Sequence, residues 1–164
     1  MTENGHGTGA VIIPRNHMVA SFGEIVADSP VFDWNRGFDI RIKLGRDLST
    51  KDQNGSGSCG GQASSYLTEA VLNSAEMSAR SIYNKCFVSG GGSSEFGLMN
   101  TIVNIGVDLE SVTTSYENGN PPSEAFMELP DGNPSFVKGL RPVYVTVDFD
   151  SIVTAVLQNG GALS

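Results

Sequence analysis

Hydrophobic and polar positions change period several times along the chain. Residues 38–44, Phe-Asp-Ile-Arg-Ile-Lys-Leu, alternate apolar and polar side chains, the period-2 pattern of a strand with one buried face. The polar stretch from Gly45 to Gly57 then reads as a loop. From Cys59 onward Ala63, Tyr66, Leu67, Ala70, Val71, Ala75, Met77 and Ile82 recur at steps of three and four without a proline. That spacing predicts the best-defined helix of the chain, running from Cys59 toward Ile82. Beyond the Gly90–Gly92 loop, Leu98, Met99, Ile102, Val103 and Ile105 predict a second helix, stopped by Gly106, the residue type best able to take the left-handed cap.

The flanks are less regular. Residues 1–30 combine the short apolar run Ala10–Ile13 with Pro14, which predicts an extended or partly ordered arm instead of a helix. Residues 117–142 hold most of the prolines and read as an irregular excursion. The alternation Val143–Phe149 predicts a strand, and Asp150 or Ser151 is placed to cap a short helix over 152–157 that Gly160–Gly161 closes.

At 164 residues the chain has the length of one domain with its own core. Ten Lys and Arg against eighteen Asp and Glu leave a formal charge of −8, and the basic residues are scattered, which excludes nucleic acid as an expected partner. No apolar run approaches the roughly 18 residues that span a bilayer, so no membrane association is expected. The start, Met1 to His6, lacks a basic region followed by an apolar one. A soluble chain without a secretion signal is the expectation. With only Cys59 and Cys86, and only His6 and His17, there is neither a disulfide scaffold nor a zinc set. A reducing, cytoplasmic setting without metal or cofactor fits these counts.

The chemistry concentrates in residues 53–64, Gln-Asn-Gly-Ser-Gly-Ser-Cys-Gly-Gly-Gln-Ala-Ser. Gly55, Gly57 and Gly60 match the spacing of a dinucleotide loop, but residues 46–54 are too polar for the buried strand that must precede it, and no phosphate-binding lysine follows. A nucleophile elbow at Gly57-Ser-Cys-Gly-Gly61 needs the same missing strand. What remains is Cys59 at a helix N-terminus, where unpaired backbone N–H groups and the helix dipole favour thiolate over thiol. A thiolate is the form that attacks carbonyls.

Several segments taken in order resemble the papain-like cysteine peptidases. Ser56-Gly-Ser-Cys59 is similar to the C-G-S-C-W segment around that family's nucleophile, and Gln53 stands six residues before Cys59. Asp33-Trp34-Asn35 resembles its D-W-R segment, and Lys51-Asp52-Gln53 its K-D-Q or K-N-Q. Ser89 to Glu110 is similar to its C-x-G-G loop, following helix and G-[IV]-x-x-E turn; Ile152 to Gly161 resembles the helix ending in N-G-P before its second lobe. The resemblance covers residues 31–161 and corresponds to the first, helical lobe. It implies that Cys59 is the nucleophile, that Gln53 and the Cys59 backbone N–H form the oxyanion hole, and that Gly91 and Gly92 hold substrate backbone.

The departures matter as much. The family's histidine and asparagine lie roughly 130–150 residues beyond the cysteine, about position 189 or later. Gly60 stands where the family has an aromatic residue, and Ser56 where it has a disulfide cysteine. Cys86 matches a disulfide position without a partner near Tyr116 and is expected to be a free thiol, while Trp34 is expected to be a packing anchor. Asn16-His17 within Asn16–Gly23 resembles the N-H-A-V strand that carries the family's histidine, which leaves a permuted enzyme using His17 open.

The expectation is therefore an α+β, papain-like fold: a lead-in arm or pro-segment remnant over 1–30, a helical lobe over 31–142 with a long central helix headed by the cysteine, and over 143–164 only the start of a barrel-like second lobe. By resemblance the function is peptide-bond hydrolysis through a thiolate, with the chain inactive until a second lobe supplies histidine and asparagine. The alternative is a catalytically dead module of the same fold used for binding or assembly. The expected partners are a peptide or protein substrate and either that second lobe or another copy of the chain, against an exposed apolar face.

Overall fold

A computed structural model describes residues 10–11, 37, 39–131, 140 and 153. Most of the 1–30 arm, both histidines, Trp34 with its Asp33 and Asn35 neighbours, the 143–149 strand and all but one residue of the 152–157 helix lie outside them. The described part is mixed but dominated by helix. Strand β1 (Ala10–Val11) pairs in parallel with β2 (Ser93–Ser94), and between them in sequence come α1 (Ile40–Leu44), α2 (Cys59–Leu72) and α3 (Ala79–Tyr83). After β2 follow α4 (Glu95–Asn100), which widens into a π-helical turn over Thr101–Ile105, and α5 (Glu124–Met127).

The strand expected over 38–44 is instead the helix α1. Its ends carry strong helix signals: Asp39 accepts the Arg41 N–H at 2.9 Å as N-cap, and Gly45, at φ +69°, donates its own N–H to the Arg41 carbonyl. Of the four apolar residues that suggested a buried strand face, Phe38 lies outside the described residues, only Leu44 of the others is buried, and Ile42 is 82% exposed. Seven residues are too few for period alone to outweigh two caps.

The long helix starts where expected, at Cys59, but stops at Leu72 with Asn73 in the left-handed region, φ +47°. A turn follows, and Ser78, whose Oγ accepts the Ser81 N–H at 2.9 Å, starts α3 as a separate helix. The predicted inward face is buried only at Ala70, Met77 and Ile82. Gly61, Gln62, Ser64, Ser65, Thr68, Glu69 and Ala70 are buried, whereas Ala63, Tyr66, Val71 and Leu72 are exposed. Close approach explains the choice, because a Cβ added at Gly61 would lie 2.9 Å from the Ala79 carbonyl oxygen. Small residues are what α3 can pack against. Ser65 and Thr68 satisfy their hydroxyls on the carbonyls of Gln62 and Ser64, at 2.9 and 2.8 Å.

The buried charge on α2 is matched. Lys51 places its Nζ 2.7 Å from Glu69 Oε1, 3.1 Å from Glu76 Oε1 and 3.2 Å from the Met77 carbonyl, while Glu69 Oε1 also accepts the Met77 N–H at 2.9 Å. This pins the loop before Cys59 to the corner between α2 and α3. A second buried cluster joins Lys85, Asp131 and Ser81, whose Oγ accepts the Asp108 N–H at 3.0 Å. Burial by itself would raise the Asp131 pKa, but the hydrogen bonds from Lys85 and Ser81 and the Lys85 charge hold it below the ordinary carboxylate value.

Two apolar clusters fill the interior. Met77, Ile82, Cys86, Leu98, Ile102 and Val107 form the larger; Ala79, Tyr83 and Met127 form the smaller, which fastens α5 to α3. The helix predicted over 98–105 is present in modified form. Ser94 caps α4 at the Gly97 N–H, 3.0 Å, and Gly106, at φ +108°, closes the π-helical turn on the Thr101 carbonyl. The excursion after residue 117 contains α5, which Ser123 caps.

Candidate functional site

Cys59 is the first residue of α2, a free thiol of intermediate exposure. The approach to it is built from turns. Asn54 takes φ +50°, and the Ser56 N–H and Oγ both donate to the Gln53 carbonyl, at 3.0 and 2.7 Å. Gln53 returns one side-chain N–H to the Ser56 carbonyl at 3.2 Å, which leaves its other N–H unspent in that bond. Ser58, at the N-cap position, makes no capping bond with its side chain; its Oγ lies 2.7 Å from Ser56 Oγ instead. The first N–H groups of α2 are thus not consumed by that cap, and a helix of 14 residues directs its positive end at the thiol.

The triglycine loop lies directly against this turn. Gly90, Gly91 and Gly92 have φ of +97°, +92° and +94°, a succession that residues with a Cβ rarely adopt. At Gly57 the two loops meet backbone to backbone, since a Cβ there would lie 2.5 Å from Gly92 N and 3.1 Å from the Gly91 carbonyl carbon. Cys59 therefore heads its helix two residues after the point where its lead-in loop meets Gly91 and Gly92, and Gln53 lies on that lead-in loop.

Two residues that the sequence reading did not single out join these loops. The Glu124 carboxylate accepts the Gly57 N–H on Oε2 and the Tyr83 O–H on Oε1, each at 2.5 Å, and the Tyr83 oxygen accepts the Gly92 N–H at 2.9 Å. Burial first, and the bond to Glu124 second, push the Tyr83 phenol well above its ordinary pKa, so it remains a donor. No sequence signal marks these partners, which stand 67 and 41 residues apart along the chain.

A Cβ at Gly60 would meet Ser93 Oγ at 2.5 Å and Leu98 Cδ1 at 2.8 Å, both side-chain ends that would have to move aside. Cys86 is a free thiol in the core, its Sγ 3.3 Å from the Ile82 carbonyl and its pKa pushed up to about 11 by burial. An open depression of about 900 Å³, lined by Glu76, Glu110 and Tyr116 among others, includes none of Cys59, Gln53, Gly91 or Gly92. Among the described residues no group of three His, Cys, Asp or Glu is placed to hold a metal ion, and no helix is long and apolar enough to cross a membrane. His17, the other candidate of the sequence, lies outside the described residues.

No family model matches the chain, and no curated protein or solved structure matches it.

Proposed function

We propose that this chain is the helical lobe of a papain-like cysteine peptidase. The observation that carries the reading is the half-exposed Cys59 thiol at the head of a 14-residue helix, behind a turn whose Gly57 packs on Gly91 and Gly92, both at positive φ. In the proposed reaction the Cys59 thiolate attacks the scissile peptide carbonyl, and the carbonyl π electrons move onto oxygen. The Cys59 backbone N–H and the second N–H of Gln53 stabilise that oxyanion. Collapse breaks the C–N bond, the leaving amine takes a proton from a histidine, and water then hydrolyses the thioester. Gly91 and Gly92 offer backbone groups to an extended peptide.

The described residues contain no histidine, so the base comes from outside them, from a second lobe or from His17. Glycine at position 60, where the family carries an aromatic residue, favours a second reading in which the same surface binds peptide without cleaving it.

The test is alkylation of the native chain by a tripeptidyl chloromethyl ketone and by iodoacetamide, with the modified residue mapped by mass spectrometry. Cys59 is expected to react with the peptidyl reagent at least tenfold faster than a small reference thiol does, with iodoacetamide as the control for intrinsic reactivity; Cys86, buried and with a raised pKa, is expected to stay unmodified until the chain is unfolded. No peptidyl preference at Cys59 would refute both readings. Preference without turnover of a fluorogenic peptide, even with the second lobe supplied, would leave the binding module.

A further inference from the structure

We propose that Glu124 and Tyr83 form a clasp that positions the Cys59 thiol against the Gly91–Gly92 backbone, an inference that rests on the peptide-hydrolase reading above. Neither residue touches the reacting atoms; both are positioning residues. The need for such a device follows from composition. Three consecutive glycines have the widest choice of backbone conformations of any tripeptide, so the loop does not hold its own register against a neighbour. Its internal bonds, Val88 N–H to the Gly92 carbonyl at 2.9 Å and Gly91 N–H to the Val88 carbonyl at 3.0 Å, close the turn but do not tie it to the cysteine loop.

The tie runs through one carboxylate. Glu124 takes the Gly57 N–H, two residues before Cys59, on one oxygen and the Tyr83 hydroxyl on the other, and Tyr83 in turn receives the Gly92 N–H. The Glu124 Oε1 also lies within 3.8 Å of the position a Gly91 Cβ would take, so the carboxylate runs alongside the loop it orders. Each end is anchored independently. Tyr83 is fully buried beside Met127 and Ala79, and Glu124 begins α5, whose Ser123 cap is itself held by Glu117 at 2.8 Å. Thus a third segment, remote in sequence from both loops, sets the spacing between the thiol and the peptide-binding backbone. A misplacement of about 1 Å at such a junction can cost about a hundredfold in rate.

Three single variants of the full chain test this: Glu124→Ala, Tyr83→Phe and the conservative Glu124→Gln, with the Ala/Phe double variant beside them. Amide exchange at Gly57 and Gly92, followed by NMR, reads the tie directly; the ratio of peptidyl chloromethyl ketone to iodoacetamide rate constants at Cys59 reads its consequence. Exchange at both amides is expected to rise about tenfold in Glu124→Ala, the effect of one lost hydrogen bond, and the rate ratio to fall tenfold or more while the iodoacetamide rate stays within about threefold. Tyr83→Phe keeps the buried ring and is expected to free Gly92 most. Glu124→Gln, which keeps an acceptor for Gly57, is expected to recover part of the ratio, and the double variant to add little to the worse single. Unchanged Gly92 protection in both Glu124→Ala and Tyr83→Phe, or a parallel fall of both rate constants with melting temperature, would overturn the clasp. If wild type shows no peptidyl preference the hydrolase reading fails by itself, and the exchange arm still decides whether Glu124 ties the loops.

Discussion

Alanine at Gly57 is expected to destabilise the protein by about 2–4 kcal/mol, and the structure indicates why. The added Cβ would stand 2.5 Å from Gly92 N, 3.1 Å from the Gly91 carbonyl carbon and 3.2 Å from Gly91 Cα. All three are backbone atoms, so no side chain can swing aside, and the closest approach is about 0.9 Å short of the 3.4 Å at which ordinary contact begins. If the triglycine loop yields the whole distance, the Gly92 N–H to Tyr83 bond, now 2.9 Å, stretches beyond hydrogen-bonding range; if the cysteine loop yields, the Gly57 N–H leaves Glu124. Overpacking costs about 1–3 kcal/mol, a stranded donor about 1–3 kcal/mol, and partial relaxation shares the strain between them. Urea denaturation measures the total, which corresponds to a midpoint shift on the order of 1 M or more. Gly55→Ala is the control, because that position has no heavy atom within 4 Å of its Cβ site and does not require a left-handed backbone. A Gly57→Ala midpoint indistinguishable from that of Gly55→Ala would refute the contact between the loops.

Two further outcomes follow from the buried ion pairs. Lys51→Met is expected to cost about 3–5 kcal/mol in the same assay, since it leaves Glu69, with no exposed side-chain surface, without its cation; adding Glu69→Gln should recover part of that loss, and an equal or larger loss in the double variant would refute the pairing. Asp131 titrates lower in the folded protein than unfolded, so its contribution is complete above about pH 5 and is lost as pH falls through the ordinary carboxylate value toward the lower folded one. Asp131→Asn should therefore lower the urea midpoint at neutral pH and flatten its decline below about pH 4; an unchanged acid slope would contradict the Lys85 bond as the cause.

Legibility in the sequence varied with how local the deciding physics was. Cys59 at the head of a helix could be read because a polar, glycine-rich loop gives way there to steps of three and four, and the Gly106 stop because a positive φ, here +108° with an extended ψ in place of the expected left-handed cap, is open mainly to glycine. The same local logic, applied to Asp39 and Gly45 instead of to the alternation between them, would have identified α1 as a helix. The Cys59–Ile82 periodicity failed differently. It continued across Asn73, where a left-handed residue ends one helix before another begins, and it could not register that the small and hydroxyl residues of α2 would face inward.

By itself the sequence determined the local features: a cysteine opening a helix, three glycines able to take positive φ, the side-chain caps at Asp39, Ser78, Ser94 and Ser123, and a net negative charge. Those follow from the conformational preferences of a few adjacent residues. Only the tertiary structure decided which face of α2 is buried, that Lys51 neutralises Glu69, and that Glu124 meets Gly57 and Tyr83. Each of these is a contact between residues distant along the chain, and its free energy arises only when burial has removed the water that would otherwise solvate both partners, a condition no local pattern encodes.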